Sequence, residues 1–216
     1  VADGPIAFSC IYGGEDYDAR REQPGWDRPG FNDKAWLQPT RVEAPGCAMR
    51  AQSRPPVRVQ HRSRPVKVTD PAPGVRICDL GQNFAGWPAV TVSGPAGAQV
   101  KIIPGELLDP QGLVTQRSSG GPVSFTYTAK GAGRESWTPR FTYYGFRYLQ
   151  VEGSAKVEEI GGEFLHLDAP RAGSFACSKE LFNRIHNLID AAVRSNMQHV
   201  LTDCPHREKL GWLEQA

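Results

Sequence analysis

The chain predicts a mainly β protein: a β-sandwich, preceded by part of another β-domain and followed by a long helix. Three observations carry this expectation. Short alternating apolar runs recur between residues 75 and 151, spaced by turn residues. Glycine and proline supply 23 and 18 of the 216 residues, which a turn-rich β architecture needs. Past Ser178 the apolar period changes from that of a strand to that of a helix.

Taken in order, Tyr12 to Tyr17 reads as a short strand leading into polar turn residues. Gly25-Trp26-Asp27 and Phe31 to Trp36 read as packed loops, with Asn32-Asp33 favouring a turn and the aromatics, Trp26 and Trp36 included, as core anchors. Val57 to Gln60 and Val66 to Thr69 alternate as half-buried strands. Pro55, Pro56 and Pro65 confine these to edges or strand starts, and 71–74 is a turn. Val75 to Leu80 is a strand, and Gly81 to Trp87 a glycine-bracketed turn with two aromatics. Strands follow at 88–92, 99–103, 125–128 and 143–151, with Ser136 to Phe141 opening the last section. Residues 1–62 are thus the end of one β-domain and 63–153 a β-sandwich. Residues 154–177 read as a linker with strand character. From 178, capped by Ser178, Leu181, Phe182, Ile185, Leu188, Ile189, Ala192 and Val193 recur at helical spacing to about Asn196.

A net charge of +2 makes no case for nucleic acid or an anionic membrane. Arg50, Arg54, Arg58, Arg62, Arg64 and Lys67 cluster, but prolines interrupt them and no aromatics interleave, so they read as solvated strand and loop surface. No apolar run approaches a membrane span. Five scattered cysteines, with no paired short spacing, read as reduced thiols rather than a disulfide framework. The first residue is Val1 rather than Met, so the missing leader says nothing of compartment, and localisation stays open.

Chemistry concentrates in the last sixteen residues, where Asp203, Arg207, Glu208, Trp212 and Glu214 crowd together. Asp203-Cys204-Pro205 predicts a helix start with Pro205 in the first turn. Such a helix puts Glu208 and Trp212 on one face. An indole stacks on a sugar ring and, by excluding water, poises a neighbouring carboxyl as an acid. Asp203 is placed to accept hydrogen bonds from sugar hydroxyls. Glu106, a lone carboxylate at a strand end, is read as hydrogen-bonded or solvated rather than catalytic.

Asp203-Cys-Pro-His-Arg207-Glu208-Lys-Leu-Gly211-Trp212 resembles the signature of the bacterial α-L-rhamnosidases, glycoside hydrolase family 78. Further phrases resemble the same family in the same order: Tyr12 to Arg20, Asp79 to Trp87, Gly105 to Asp109, and Pro139 to Tyr148. The resemblance implies a concanavalin-like β-sandwich, with residues 178–216 starting an (α/α)6 catalytic barrel. It implies inverting hydrolysis of terminal α-L-rhamnosides, with Glu208 as general acid. Asp203, Arg207 and Trp212 match substrate-binding positions, and Arg207 is expected to keep Asp203 ionised. One position departs: the family's third carboxylate falls on Gln215, an amide that can still hydrogen-bond a hydroxyl. The family's general base comes from later in the barrel, and an (α/α)6 barrel needs twelve helices, so the chain is expected to be a piece without turnover of its own. The implied partner is a rhamnose-containing glycoside or polysaccharide. No cofactor or metal is implied, and oligomeric state is left open.

Two other classes are compatible with the residues. His199, Cys204 and His206 offer metal-ligand atoms, though without a recognised structural spacing or a fourth ligand. The β-sandwich can also serve as a non-catalytic carbohydrate-binding module.

Overall fold

The computed structural model describes residues 4–212 and 214. Twelve strands and one helix follow one another: β1 (Ile6–Cys10), β2 (Gly14–Asp18), β3 (Val57–Ser63), β4 (Lys67–Ala72), β5 (Val75–Ser93), β6 (Gln99–Gly105), β7 (Leu107–Leu108), β8 (Val114–Thr115), β9 (Ser124–Thr128), β10 (Arg134–Trp137), β11 (Tyr144–Gly153), β12 (Lys156–Leu167) and α1 (Glu180–Asn196). Ten strands form one curled sheet in the order β1-β2-β9-β6-β11-β5-β12-β3, with β4 and β10 also paired to β5. The expected mainly β class with a following helix is what the chain adopts.

β5 is the spine. Its nineteen residues pair with β4, β10, β11 and β12, so the segment 81–87 is not the turn its glycines suggest. Phe84 explains why. It is buried against Phe146 at 5.1 Å and Phe164 at 5.4 Å between ring centres, and this packing holds the strand straight through the glycines. What the glycine supplies is a bulge. Phe146 pairs with Phe84 but Tyr148 with Asp79, and Gly81 sits between at φ +80°. Asp79 closes the bulge by accepting from the Gly81 amide at 2.7 Å and from Arg147 at 2.7 and 2.8 Å. The Arg147 hydrogen bonds hold the Asp79 carboxyl below the usual carboxylate range.

Alternation decides the rest of the core. Val90 and Val92, Val100 and Ile102, Phe125 and Tyr127 all point inward from successive strands. Residues 156–167, part of the expected linker with strand character, form the long strand β12 between β5 and β3, and 168–179 runs without regular structure to α1. Gly161 and Gly162 permit close approach: a Cβ on Gly162 would meet the Phe84 ring at 2.5 Å. Likewise the residues taken as core anchors in the amino-terminal loops stay at the surface. Trp26 is 63% exposed and Trp36 38% exposed, the latter packed on Phe31 and donating to Gln23 at 2.6 Å.

The expected helix forms over Glu180–Asn196, one residue later than a Ser178 cap would give. Lys179 is the N-cap residue and makes no side-chain cap bond. Instead the Asn183 amide closes the approach, accepting from the Cys177 N–H and donating to its carbonyl, both at 2.9 Å. The apolar stripe of α1, Leu181, Phe182, Ile185, Leu188, Ile189 and Val193, is exposed.

Candidate active site

After α1 the chain makes a closed loop rather than the expected second helix. Asp203 N–H donates to the Leu210 carbonyl at 2.9 Å, and Thr202 pairs with Gly211 as an antiparallel bridge. A helix over 205–212 would send the Glu208 N–H to the Cys204 carbonyl; here it points to Cys204 Sγ at 3.3 Å. Lys209 then turns into the left-handed region, φ 56°, which ends any helical path. Glu208 and Trp212 therefore do not share a helix face.

What gathers the site is the Asp203 carboxylate. Its Oδ1 accepts from Cys204 N at 2.8 Å and Leu210 N at 3.0 Å, and its Oδ2 from Trp212 Nε1 at 3.3 Å. The neighbouring Glu208 carboxyl is the largest influence on it, ahead of those amides and the indole, and together they bring Asp203 down to about 2. Arg207 does not touch Asp203 as expected. Its Nε lies 3.1 Å from Glu208 Oε1, an open ion pair worth about 0–1 kcal/mol in water. Asp203 is kept ionised by backbone and indole N–H groups and by Glu208, not by a guanidinium. Trp212 is half exposed, at 50%, with its ring free to meet a ligand.

Asp203, Cys204 and Glu208 bring three donor atoms within 4.8 Å of one another, and these are the atoms that could meet a metal. Each already serves the loop's own hydrogen bonding. The alternative set expected from sequence does not assemble: His206 turns to Tyr144, edge-on at 6.3 Å between ring centres, and to Glu106 at 3.8 Å. Gln215 lies outside the described residues.

The loop is seated on the sheet by residues that sequence reasoning did not single out. Tyr12 Oη donates to the Glu208 carbonyl at 2.9 Å. Lys209 Nζ donates to the carbonyls of Ile11 and Tyr143, the latter at 2.6 Å. Its ammonium lies over the rings of Tyr143, Tyr144 and Tyr12 at 4.8, 5.4 and 5.7 Å. Glu106, read as hydrogen-bonded or solvated rather than catalytic, stands beside the loop, accepting from Asn83 at 2.9 Å and facing His206 at 3.8 Å. Only the adjacency of Lys209 to Glu208 could have flagged any of these contacts, since each joins residues far apart in sequence.

Three descriptions of one family match in succession: the α-L-rhamnosidase N-terminal domain over 1–61, the bacterial α-L-rhamnosidase concanavalin-like domain over 69–166, and its six-hairpin glycosidase domain over 170–216. An α-L-rhamnosidase of Streptomyces avermitilis is 39% identical over 98% of this chain, which spans 21% of that protein. The α-L-rhamnosidase structure from Dictyoglumus thermophilum superposes with a TM-score of 0.92 at 36% identity, covering 97% of this chain and 24% of its own. The Streptomyces avermitilis enzyme solved with L-rhamnose superposes at 0.87 with 38% identity, over 98% of this chain and 21% of its own. The chain thus spans between a fifth and a quarter of the relatives it matches. With sheet, helix and site loop following one another as in these relatives, the chain belongs to the bacterial α-L-rhamnosidase family.

Proposed function

We propose that this chain is the segment of an α-L-rhamnosidase that carries the general acid, Glu208, and that the whole enzyme releases terminal α-L-rhamnose with inversion. The gathering of Glu208 and the exposed Trp212 indole about one ionised carboxylate carries the reading: a Glu208 oxygen lies within 4.8 Å of Asp203, which also holds the Trp212 N–H at 3.3 Å. Glu208 then protonates the departing glycosidic oxygen. Trp212 walls the sugar through its exposed ring, and Arg207 leaves its loose pair with Glu208 to bind a hydroxyl. Asp203 meets hydroxyls through Oδ2, and Gln215 adds an amide contact.

The second catalytic carboxylate is a different residue from Asp203. With oxygens within 4.8 Å of each other, these two carboxyls are closer than the roughly 6.5–9.5 Å that leaves room for an attacking water. With its oxygens committed to N–H donors, Asp203 is also a poor nucleophile. The activating base is therefore supplied from outside this segment, and the segment alone has no turnover. The exposed apolar stripe of α1 fits the same view, since a further barrel helix is what such a stripe packs against. The test is Glu208→Gln in a full-length rhamnosidase carrying this segment. Rhamnose release should fall by about 10²–10⁴-fold on substrates with poor leaving groups. An unchanged rate overturns the reading.

A further inference from the structure

Among the described residues Lys209 is the one buried cation, 8% exposed, and no carboxylate of those residues pairs with it. Its partners are two backbone carbonyls, one from the amino-terminal segment and one just before β11, and three tyrosine rings. Its backbone also takes a left-handed conformation, which costs a non-glycine residue about 1 kcal/mol or more. A glycine would take that turn freely. A lysine there offsets the cost with contacts that only a long cationic side chain can make.

We propose that Lys209 is a positioning residue for Glu208: by fastening the turn after the acid to the carbonyls of Ile11 and Tyr143, it makes the β-sheet, rather than the helix behind the loop, aim the carboxyl. This rests on Glu208 being the acid. Three other contacts point the same way. Tyr12 Oη holds the Glu208 carbonyl itself, Pro205 sits against Gly145, and His206 against Tyr144, so the loop is fixed to one patch of sheet on both sides of the acid. Burial brings the Lys209 ammonium down to about 8, as expected of a cation enclosed by rings and dipoles without a counter-charge. The groups facing it, Tyr12, Tyr143, Tyr144, Cys10 and Cys204, are all neutral when protonated.

The experiment compares Lys209→Met and Glu208→Gln in a full-length rhamnosidase carrying this segment, on methyl and 4-nitrophenyl α-L-rhamnoside. The nitrophenolate leaves with little protonation, so a displaced acid hurts the methyl glycoside more. Lys209→Met should lower kcat on the methyl glycoside about tenfold more than on the nitrophenyl one, with KM within about threefold. Partial misfolding lowers both alike and leaves their ratio unchanged. If Glu208→Gln changes the ratio and Lys209→Met does not, the acid assignment stands and the positioning role is overturned. If Glu208→Gln leaves the ratio unchanged, both fall. Should Lys209→Met not fold, Lys209→Arg keeps the cation with altered donor geometry: an intermediate ratio supports the proposal, and an unchanged one overturns it.

Discussion

Gly145 lies directly beneath Pro205. A Cβ at position 145 would come within 2.6 Å of Pro205 Cγ and 3.3 Å of Glu106 Oε1. β11 and the loop carrying Glu208 touch here with no room for a methyl group, and the proline ring cannot rotate away. Gly145→Ala should therefore destabilise by about 1–3 kcal/mol through overpacking, and should lower activity as the loop is pushed off the sheet. Gly46→Ala, with nothing within 4 Å of its Cβ, is the control expected to leave both unchanged. Thermal melts, and rhamnose-release rates of a full-length rhamnosidase carrying each variant, decide it.

Asp203 makes acid stability a readout of the site. Its carboxyl sits at about 2, below its ordinary 3.8, so its stabilising contribution is complete above pH 4 and disappears as pH falls through 2. Asp203→Asn removes that dependence and replaces one acceptor oxygen with an N–H group facing the Cys204, Leu210 and Trp212 N–H donors. The variant should be less stable at pH 7 by about 1–3 kcal/mol. Between pH 4 and pH 2 its stability should fall less steeply than that of the natural protein. Denaturant unfolding across that range tests both statements.

How far these features could be read in advance follows from how local their causes are. Val90, Val92, Val100, Ile102, Phe125 and Tyr127 announce their strands because alternation is a property of neighbours in sequence. The run Gly81 to Trp87 misleads because what keeps it extended is Phe146 and Phe164, more than sixty residues away. Gly86 and Gly162 look like breakers, yet each marks a place where another chain segment comes too close for a side chain. At the site, the motif names Asp203, Glu208 and Trp212, which the structure brings together. The route by which they meet was illegible, because a tether from Asp203 to Leu210 and a left-handed lysine replace the helix that Asp-Cys-Pro suggests.

Lys209 gives a second pH signature, of the same sign but at the alkaline end. Its folded value, about 8, lies below the ordinary 10.5, so the folded state carries the cost of a buried charge at pH 7. That cost is relieved as pH rises from 8 toward 10.5, where the unfolded chain still holds the proton and the folded one does not. The stability advantage of the natural protein over Lys209→Met should therefore widen with rising pH, by up to about 3 kcal/mol. Because Tyr12, Tyr143, Tyr144, Cys10 and Cys204 are present in both proteins, the difference between the two unfolding curves isolates the lysine. A gap that stays constant from pH 7 to pH 10 would show that Lys209 is not desolvated.

The closeness of Asp203 and Glu208 makes the stereochemistry of the product a direct test of which carboxylates do the work. A retaining enzyme sets acid and nucleophile about 5–5.5 Å apart, and an inverting one about 6.5–9.5 Å apart. Asp203 and Glu208 bring oxygens within 4.8 Å of each other, and the Asp203 oxygens accept from two backbone amides and an indole, which quenches nucleophilic attack. If Asp203 is not the nucleophile, water attacks from the face opposite the departing oxygen, under a base distant from this loop. Proton NMR during the first minutes of hydrolysis of an aryl α-L-rhamnoside by a full-length rhamnosidase carrying this segment should show β-L-rhamnose first, with the α anomer appearing only as mutarotation proceeds. Initial α-L-rhamnose would require a covalent intermediate, and Asp203 would then be the nearest carboxylate to form it.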